Sequence, residues 1–374
     1  MKILFLYIDS EIGVNAWPKV HFIDELKRAG HQISFFNPAL YSSIDEANEA
    51  LLILMKENKQ KYELFINSYG DNILYKDTVI GISSYGIATL LMCCDNLHAP
   101  YMHRKMAPFF DLVWLTSYET MFIFKKWGCK CIMLPYAANP YIFKPNYSEE
   151  INAVGFIGTL YGTRVNKVNK LLENNISCTL YSNEFFLSGE SMGHNKISQN
   201  TKWKIKIGKD DFNLMKFSVG RRILKSKVLK KLSKPTRLLK ESEYLKMNPS
   251  VSFEQMNQLY SDFSLSLGIT EVWDTYFLKN PVYKLHLRTF EIPMCGGLQL
   301  TSYTEELAGY FEDGKEILMY KSEDEYIDKA SFYLKERASS LRKNMKLAAR
   351  KRAEHEHTWL YRFNSAFETM GLMK

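Results

Sequence analysis

Short, nearly unbroken apolar runs alternate with amphipathic segments along the first third of the chain. The runs are KILFLYI (2–8), QISFF (32–36), ELFIN (63–67), ATLLMCC (88–94), LVWLT (112–116) and CIML (131–134), and such runs are typical of strands buried on both faces. Helical patterns lie between them, for example 20–29 closed by Gly30 and 118–127 closed by Gly128. This alternation predicts parallel β/α/β units in a doubly wound domain.

A proline-rich stretch interrupts the alternation. LPYAANPYIFKPNYSEE carries Pro135, Pro140 and Pro145, which neither a helix nor a sheet accommodates easily. Beyond it, strands are predicted at 153–158, 177–182, 263–268, 297–302 and 316–320, with a helix over 163–173. We therefore predict an α/β protein with two doubly wound, Rossmann-like domains facing a cleft, at 1–146 and 147–345, and a C-terminal helix, 346–374, that crosses back to the first domain. Ligands of such sheets bind beyond the carboxyl ends of the strands.

The segment RTFEIPMCGGLQL (288–300) places Arg288 and Glu291 just before Pro293 and a Gly-Gly pair. Asn280 followed by Pro281 is a typical helix start, so the pattern predicts a helix from about 281 to 292. Its apolar face would carry Val282, Leu285, Thr289 and Ile292, and its polar face Lys284, Arg288 and Glu291. We expect Glu291 near the C-terminal end of this helix.

Composition narrows the class of protein. The 374 residues are 46% hydrophobic and 24% charged, as in folded soluble proteins. Six cysteines show neither a disulfide framework nor zinc-finger spacing, so we expect reduced thiols. The N-terminal apolar run is too short for a signal peptide or a membrane span, which predicts a cytoplasmic protein.

The C-terminal part of the chain also resembles a known family. Through LRTFEIPMCGGLQL, TEELAGYF, GKEILMY and HEHTWLYRF, it resembles the CgeB-like branch of the GT-B glycosyltransferases, well over residues 250–365 and more loosely around VGFIG. The resemblance implies an enzyme that moves a sugar, of hexosyltransferase type, from a nucleotide-diphosphate-sugar donor to an acceptor hydroxyl. The acceptor would be a glycan or a lipid-linked glycan, as in assembly of cell-surface polysaccharide.

The same resemblance gives Glu291 a role. The matching Glu is expected to accept hydrogen bonds from the ribose hydroxyls of the donor, and one carboxylate can accept both hydroxyls. The alternative is an ordinary surface row of ion pairs with Arg288 and Lys284. Related enzymes with a Glu-x7-Glu pattern have a second acid where this chain has Tyr283. Tyr283 favours the alternative function, a catalytically inactive glycan- or nucleotide-binding protein of surface-layer or spore-coat assembly.

The loop GFIGTLYGTR (155–164) is the second candidate for the donor. Its glycines lie between a strand and a helix, where backbone N–H groups can face a diphosphate, and Arg164 and Lys167 could add positive charge. A tight turn into the helix is the alternative, since the spacing is not GxGxxG. The predicted donor-binding residues are Glu291, Arg288, Gly158, Thr159, Arg164, Gly268, Thr270 and Lys284. With no DxD-type carboxylate pair beside a strand end, we expect no essential metal and no cofactor.

The first domain is expected to hold the acceptor. Asp9 and Gly13 follow its first strand, and CCDNLHAPYMHR places Asp95, His98 and His103 after its fourth. If transfer inverts the anomeric centre, Asp95, His98 or Asp9 would be the base that deprotonates the acceptor, while Gly13 and His103 would belong to the acceptor-side loop. A capping Asp and a hydrogen-bonded loop His are the alternatives.

Positive charge is concentrated in one segment. Residues 201–246 hold 15 Lys and Arg against 4 Asp and Glu, a net charge of +11, whereas the whole chain has +8. Within a predicted insertion at about 195–250, residues 217–232 form a basic helical pattern with Ile223, Leu224, Val228, Leu229 and Leu232. This pattern favours an anionic membrane surface; an inert insertion or phosphate-only contact with nucleic acid is the alternative, and no base-reading motif is present.

Overall fold

A computed structural model describes residues 1–8, 17–160, 162–182, 212–213, 215–233 and 239–373. The chain divides into two compact units. The first combines Met1–Ile142 with His357–Lys374, and the second is Phe143–Glu356. The change from one unit to the next falls inside the proline-rich stretch.

The first unit is built on a parallel six-stranded sheet with the strand order β2-β1-β3-β4-β5-β6. Every apolar run predicted to be a strand forms one. The inner strands are buried almost completely, whereas the two edge strands are only partly buried. The strands are β1 (Lys2–Leu6), β2 (Gln32–Phe36), β3 (Leu64–Asn67), β4 (Ala88–Cys93), β5 (Leu112–Leu115) and β6 (Cys131–Met133). The helices are α1 (Asp24–Arg28), which continues a π-helical turn at Lys19–Ile23, α2 (Ile44–Glu57), α3 (Lys76–Ser84) and α4 (Met121–Lys126).

The second unit repeats this plan with the strand order β12-β11-β10-β7-β8-β9, again all parallel. Its strands are β7 (Ile151–Ile157), β8 (Cys178–Tyr181), β9 (Leu245–Asn248), β10 (Phe263–Leu267), β11 (Gln299–Ser302) and β12 (Leu318–Tyr320). Its helices are α5 (Thr163–Glu173), α6 (Ser218–Ser233), α7 (Phe253–Asp262), α8 (Arg288–Met294), α9 (Glu305–Ala308), α10 (Glu323–Tyr333) and α11 (Ser339–Glu356).

Strand β9 corrects the predicted insertion. Residues 239–250 were assigned to a basic insertion, but Leu245–Asn248 pairs with β8 and completes the edge of the second sheet. The sequence LKMN alternates apolar and polar residues and is only partly buried, so it lacks the continuous apolar run that identified the other strands. An edge strand has fewer contacts to satisfy, and its pattern is correspondingly weak.

The last helix, α12 (Trp359–Met370), belongs to the first unit. The segment predicted to return to the first domain began at 346, but residues 346–356 form the end of α11 in the second unit. The indole of Trp359 is completely buried and lies 5.5 Å from the ring of Phe22 and 6.2 Å from that of Trp114, centroid to centroid. The buried Glu25 accepts a hydrogen bond of 2.9 Å from the amide of Leu360, which satisfies one of the free amides at the start of the helix. The chain end is thus part of the first core.

None of the helices in the described part of the chain is long and apolar enough to span a membrane.

Candidate functional site

The helix that carries Glu291 is shorter than the sequence predicts. It begins at Arg288, not at 281. Residues 282–284 are instead extended against the loop segment that follows β10, since Val272 donates to the carbonyl of Val282 and Lys284 donates to that of Thr270, both at 2.8 Å. Backbone pairing with this neighbouring segment therefore overrides the helical pattern. Consequently, Glu291 lies at the fourth position of α8, near its start rather than its end.

Pro293 does not end α8 but lies inside it. The helix ends one residue later, at Met294. Gly296 then adopts a φ of +69°, and the amide of Gly297 bonds to the carbonyl of Ile292. This left-handed turn is the usual glycine termination of a helix. The sequence predicted that Pro293 and the Gly-Gly pair end the helix. The Gly-Gly pair follows the end of the helix, whereas Pro293 lies inside it.

Glu291 is buried, with only 4% of its surface exposed, and Lys284 is exposed by 2%. This excludes the surface row of ion pairs that the sequence left open. Burial raises the pKa of Glu291 to about 7, against the opposing effect of the Arg288 guanidinium. A carboxyl held in this way beside an Arg is the kind of perturbed group that is enriched at functional sites.

Arg288 connects this carboxyl to the loop after β7. Its Nε donates a hydrogen bond of 2.8 Å to the carbonyl of Ile157, and its guanidinium lies 5.3 Å from the ring centroid of Phe156. Gly158 has a φ of +138°, and a Cβ built there would lie 2.1 Å from an Arg288 guanidinium nitrogen. Gly158 is thus required both by its backbone conformation and by the close approach of Arg288.

The amide of Gly158 is not directed at a ligand. It donates to the carbonyl of Tyr181 at 2.9 Å and continues the sheet, which corrects the expectation that it faces a diphosphate. Arg164 is buried and donates from Nη1 to the carbonyl of Thr159 at 2.6 Å. Arg164 therefore fixes the loop, and Arg288 is the predicted donor-binding Arg that lies against Gly158.

The remaining donor candidates lie after β10. The amide of Gly268 bonds to the carbonyl of Leu300 at 2.9 Å, and a Cβ on Gly268 would meet the Gln299 side chain at 2.1 Å. Thr270 is buried, and its hydroxyl has no hydrogen-bond partner in the described part of the chain. Lys284 is held beside it by the backbone bond to the Thr270 carbonyl. The structure thus brings Thr270 and Lys284 together, and Thr270 lies three residues after the end of β10.

The candidates in the first unit lie at the carboxyl end of β4. Asp95 is exposed and its carbonyl accepts from the amides of His98 and Ala99, at 3.0 and 3.2 Å. His98 is half-buried. His103 is buried, and burial lowers its pKa to about 4, so it is neutral at pH 7 and does not face solvent. Asp9 and Gly13 lie outside the described residues.

Sequence reasoning missed one group in the second unit. Glu271, four residues after β10, lines a cavity of about 410 Å³ together with Lys167, Tyr283, Ser302 and Tyr320. Lys167 was predicted to face a diphosphate, yet its ammonium lies 3.4 Å from a Glu271 oxygen. The sequence does contain a signal for this group, because Glu271, Ser302 and Tyr320 each lie at or just beyond the end of a strand.

The basic segment contains a helix that packs on its own unit. Residues Val219, Ile223 and Ser226 of α6 are buried, and Lys230 forms an ion pair of 2.8 Å with Asp274. The buried face includes Ile223 of the predicted apolar pattern, but Val228 and Leu232 of that pattern remain 46% and 73% exposed. Much of the predicted insertion, 183–211, lies outside the described residues.

Among the residues that the structure describes, no three His, Cys, Asp or Glu side chains come together as a metal ion would require.

Part of the chain matches a known protein family. Residues 231–368 match the model of a family described as glycosyl transferase-like. This range contains β10, α8 and β11, and thus Glu291 and Arg288. A sequence comparison with curated proteins finds no match.

Solved structures match over the whole chain. HepE from Anabaena, solved with UDP, is 11% identical, covers 100% of both chains and has a TM-score of 0.57. A glycosyltransferase from Rickettsia africae is 10% identical, covers 99% of this chain and 97% of its own, and has a TM-score of 0.56. Sucrose-phosphate synthase from Thermosynechococcus elongatus is 11% identical, with 99% coverage of both chains and a TM-score of 0.52. The chain therefore has the two-domain α/β fold of the GT-B glycosyltransferases, as predicted.

Proposed function

We propose that this protein is a glycosyltransferase of hexosyltransferase type, which moves a sugar from a nucleotide-diphosphate-sugar donor to an acceptor hydroxyl in glycan assembly. The observation that carries the proposal is the buried Glu291 beside Arg288, at the carboxyl end of the second sheet and inside the segment that matches the glycosyl transferase-like family. Three structures of the similarly folded HepE, which hold UDP, UDP with glucose, or UDP-glucose, support a uridine nucleotide as the first donor to test.

Each donor residue has a role in this proposal. Glu291 accepts hydrogen bonds from the two ribose hydroxyls, which a carboxylate satisfies with its two oxygens. Arg288, next to Gly158, offsets the charge of the diphosphate and of the leaving nucleotide, together with the N-terminus of α5. When Arg288 moves to the diphosphate, the carboxylate that it neighbours becomes available to the ribose. No metal or cofactor takes part.

The acceptor is proposed to be a glycan or lipid-linked glycan bound by the first unit. In an inverting reaction a base must take the proton of the acceptor hydroxyl. Asp95 and His98, at the end of β4, are the described candidates, with Asp9 as the third. Tyr283 still supports the alternative, a glycan- or nucleotide-binding protein without turnover, because no acid occupies that position.

Calorimetric titration of the protein with UDP, GDP, dTDP and CDP is expected to give binding of one nucleotide, with UDP the foremost candidate. A site that fixes ribose and diphosphate by charge-assisted bonds should bind a free nucleotide diphosphate in the micromolar range, about −8 kcal/mol. If none of the four binds, the proposed function is contradicted. If one binds but its sugar conjugates are not consumed with any glycan acceptor, the binding-protein alternative is favoured.

We further propose that the enzyme works at the cytoplasmic face of an anionic membrane, to which α6 binds. The exposed side of α6 carries Lys225, Val228, Lys231 and Leu232, so it combines positive charge with two apolar side chains. The opposite side is anchored through Lys230 and through Arg222, which donates to the carbonyls of Asn280 and Pro281. A fixed helix presents these side chains without a cost of folding on the surface.

Replacing Lys225 and Lys231 with glutamate should abolish binding to vesicles that contain phosphatidylserine. Each Lys near an anionic surface contributes about 1 kcal/mol, so reversing two charges weakens binding by at least roughly tenfold. Sedimentation with these vesicles, and with phosphatidylcholine vesicles as the neutral reference, measures the effect. The same charge change at exposed Lys125 and Lys126 in α4 is the matched control. Equal loss in both variants would show a general charge effect and contradict a role for α6.

A further inference from the structure

A polar cavity opens on the second unit at the carboxyl ends of β10, β11 and β12. Its volume is about 410 Å³, within the range of small-molecule sites. Ser302 ends β11, Tyr320 ends β12, and Glu271 follows β10. Thr163 and Asn166, from the first two turns of α5, complete the lining on the side of the Gly158 loop.

Glu271 is the central group of this cavity. It is 92% buried, and its Oε1 accepts a hydrogen bond of 2.8 Å from the Ser302 hydroxyl and lies 3.4 Å from the Lys167 ammonium. Its Oε2 is also buried and has no hydrogen-bond partner in the described part of the chain. A buried carboxylate oxygen without a partner is costly, so a ligand that donates to it would be bound strongly.

The other lining groups define the kind of ligand. The hydroxyl of Tyr320 is buried beside Ser302 and Lys167, and burial raises the pKa of Tyr320 to about 12, so it remains neutral. Burial alone would lower the pKa of Lys167, but Tyr320 and Glu271 raise it, and Lys167 stays charged. The Lys167 and Glu271 charges offset each other. A neutral ligand rich in hydroxyls fits this mixture of donors, acceptors and aromatic rings better than an anion does.

We propose that this cavity binds the sugar of the donor and that the carboxylate of Glu271 accepts hydrogen bonds from two of its hydroxyls. This inference rests on the proposed function, because the sugar would be carried by the nucleotide bound at Glu291. The first turn of α5 borders both the Gly158 loop and the cavity, so a diphosphate at that loop would direct its sugar here.

The backbone explains how an acid comes to stand at this place. Glu271 and Tyr283 face each other in an antiparallel bridge. Tyr283 occupies the position at which an acid was missing from the expected pattern, and the bridge places an acid directly across from it. The carboxylate is therefore supplied from the opposite segment of the same loop.

The test compares Glu271→Gln with the wild-type protein in titrations of a nucleotide and its sugar conjugate: UDP with UDP-glucose, GDP with GDP-mannose and dTDP with dTDP-glucose. The variant should bind the nucleotide within about twofold of wild type, yet bind the sugar nucleotide roughly tenfold or more weakly, since bonds to a charged acceptor are lost. Glu312→Gln, at an exposed acid of the same unit, is the control and should change neither affinity. Retained nucleotide binding shows that the variant is folded.

Three results would overturn the inference. If both ligands lose affinity equally, Glu271 supports the fold or the nucleotide site rather than the sugar. If neither changes, the sugar lies elsewhere, while the proposed function stands. If wild-type protein binds none of the nucleotides, the proposed function fails and the sugar site fails with it.

Discussion

Replacing Glu291 with glutamine should weaken nucleotide binding by roughly 10- to 100-fold, because hydrogen bonds between a carboxylate and two ribose hydroxyls become bonds to a neutral amide. The substitution keeps the shape of the side chain, so the packing of the buried α8 is preserved. Calorimetric titration of wild type, Glu291→Gln and the exposed control Glu312→Gln with UDP measures the effect. Equal affinities in all three proteins would contradict the role of Glu291.

The same variant should be more stable than wild type above pH 7. Burial raises the pKa of Glu291 from the usual 4.5 to about 7. Between these values the folded protein holds a proton that the unfolded chain has released, so the free energy of unfolding falls as pH rises from about 4.5 through 7. The full cost, present above pH 7, is about 3 kcal/mol, and glutamine does not ionise.

Urea denaturation at pH 5 and pH 8 separates this effect from a simple packing change. Glu291→Gln should gain about 1–3 kcal/mol relative to wild type at pH 8 and little at pH 5. If Glu291→Gln binds the nucleotide more weakly but is more stable, Glu291 serves nucleotide binding at a cost in folding stability. A loss of stability at both pH values would instead indicate a structural role.

Trp359→Ala is expected to lower the free energy of unfolding of the first unit by about 3–5 kcal/mol. The Trp359 side chain is completely buried, and its ring lies 5.4 Å from that of Trp17 and 5.5 Å from that of Phe22. Removing it leaves a large cavity between α12 and the sheet. Differential scanning calorimetry of Trp359→Ala beside wild type measures the loss.

Two comparisons define the cause of that loss. Tyr361→Ala removes an aromatic ring from the same helix, but Tyr361 is 47% exposed, so it should cost less than about 0.5 kcal/mol. Trp359→Phe should cost much less than Trp359→Ala, because most of the buried ring volume is retained and the indole N–H has no hydrogen-bond partner among the described residues. Similar losses for Trp359→Ala and Tyr361→Ala would show that the helix does not dock through Trp359.

The sequence predicted the fold well because buried parallel strands are continuous apolar runs. Each run from KILFLYI to EILMY forms a strand. The strand LKMN at the edge of the second sheet was not predicted, since it is short and alternates apolar and polar residues. A continuous apolar run identified the other strands, including β2 and β6, which are themselves only partly buried.

The site was predicted less well, and for a different reason. The apolar spacing before Arg288 fits a helix, but hydrogen bonds from Val272 and Lys284 hold residues 282–284 extended. Such pairing joins segments that are far apart along the chain, so no local sequence pattern predicts it. It also brings Glu271 opposite Tyr283, which spacing along the chain could not indicate. Gly158 was found because a glycine between strand and helix is a local signal, whereas its contact with Arg288 is not.

A crystal structure of the protein with UDP bound tests the central claim most directly. The account predicts both ribose hydroxyls within hydrogen-bonding distance, about 2.6–3.2 Å, of the Glu291 carboxylate, with the diphosphate beside Thr159 and the Arg288 guanidinium. UDP bound away from α8, or a ribose that faces a residue other than Glu291, would contradict it.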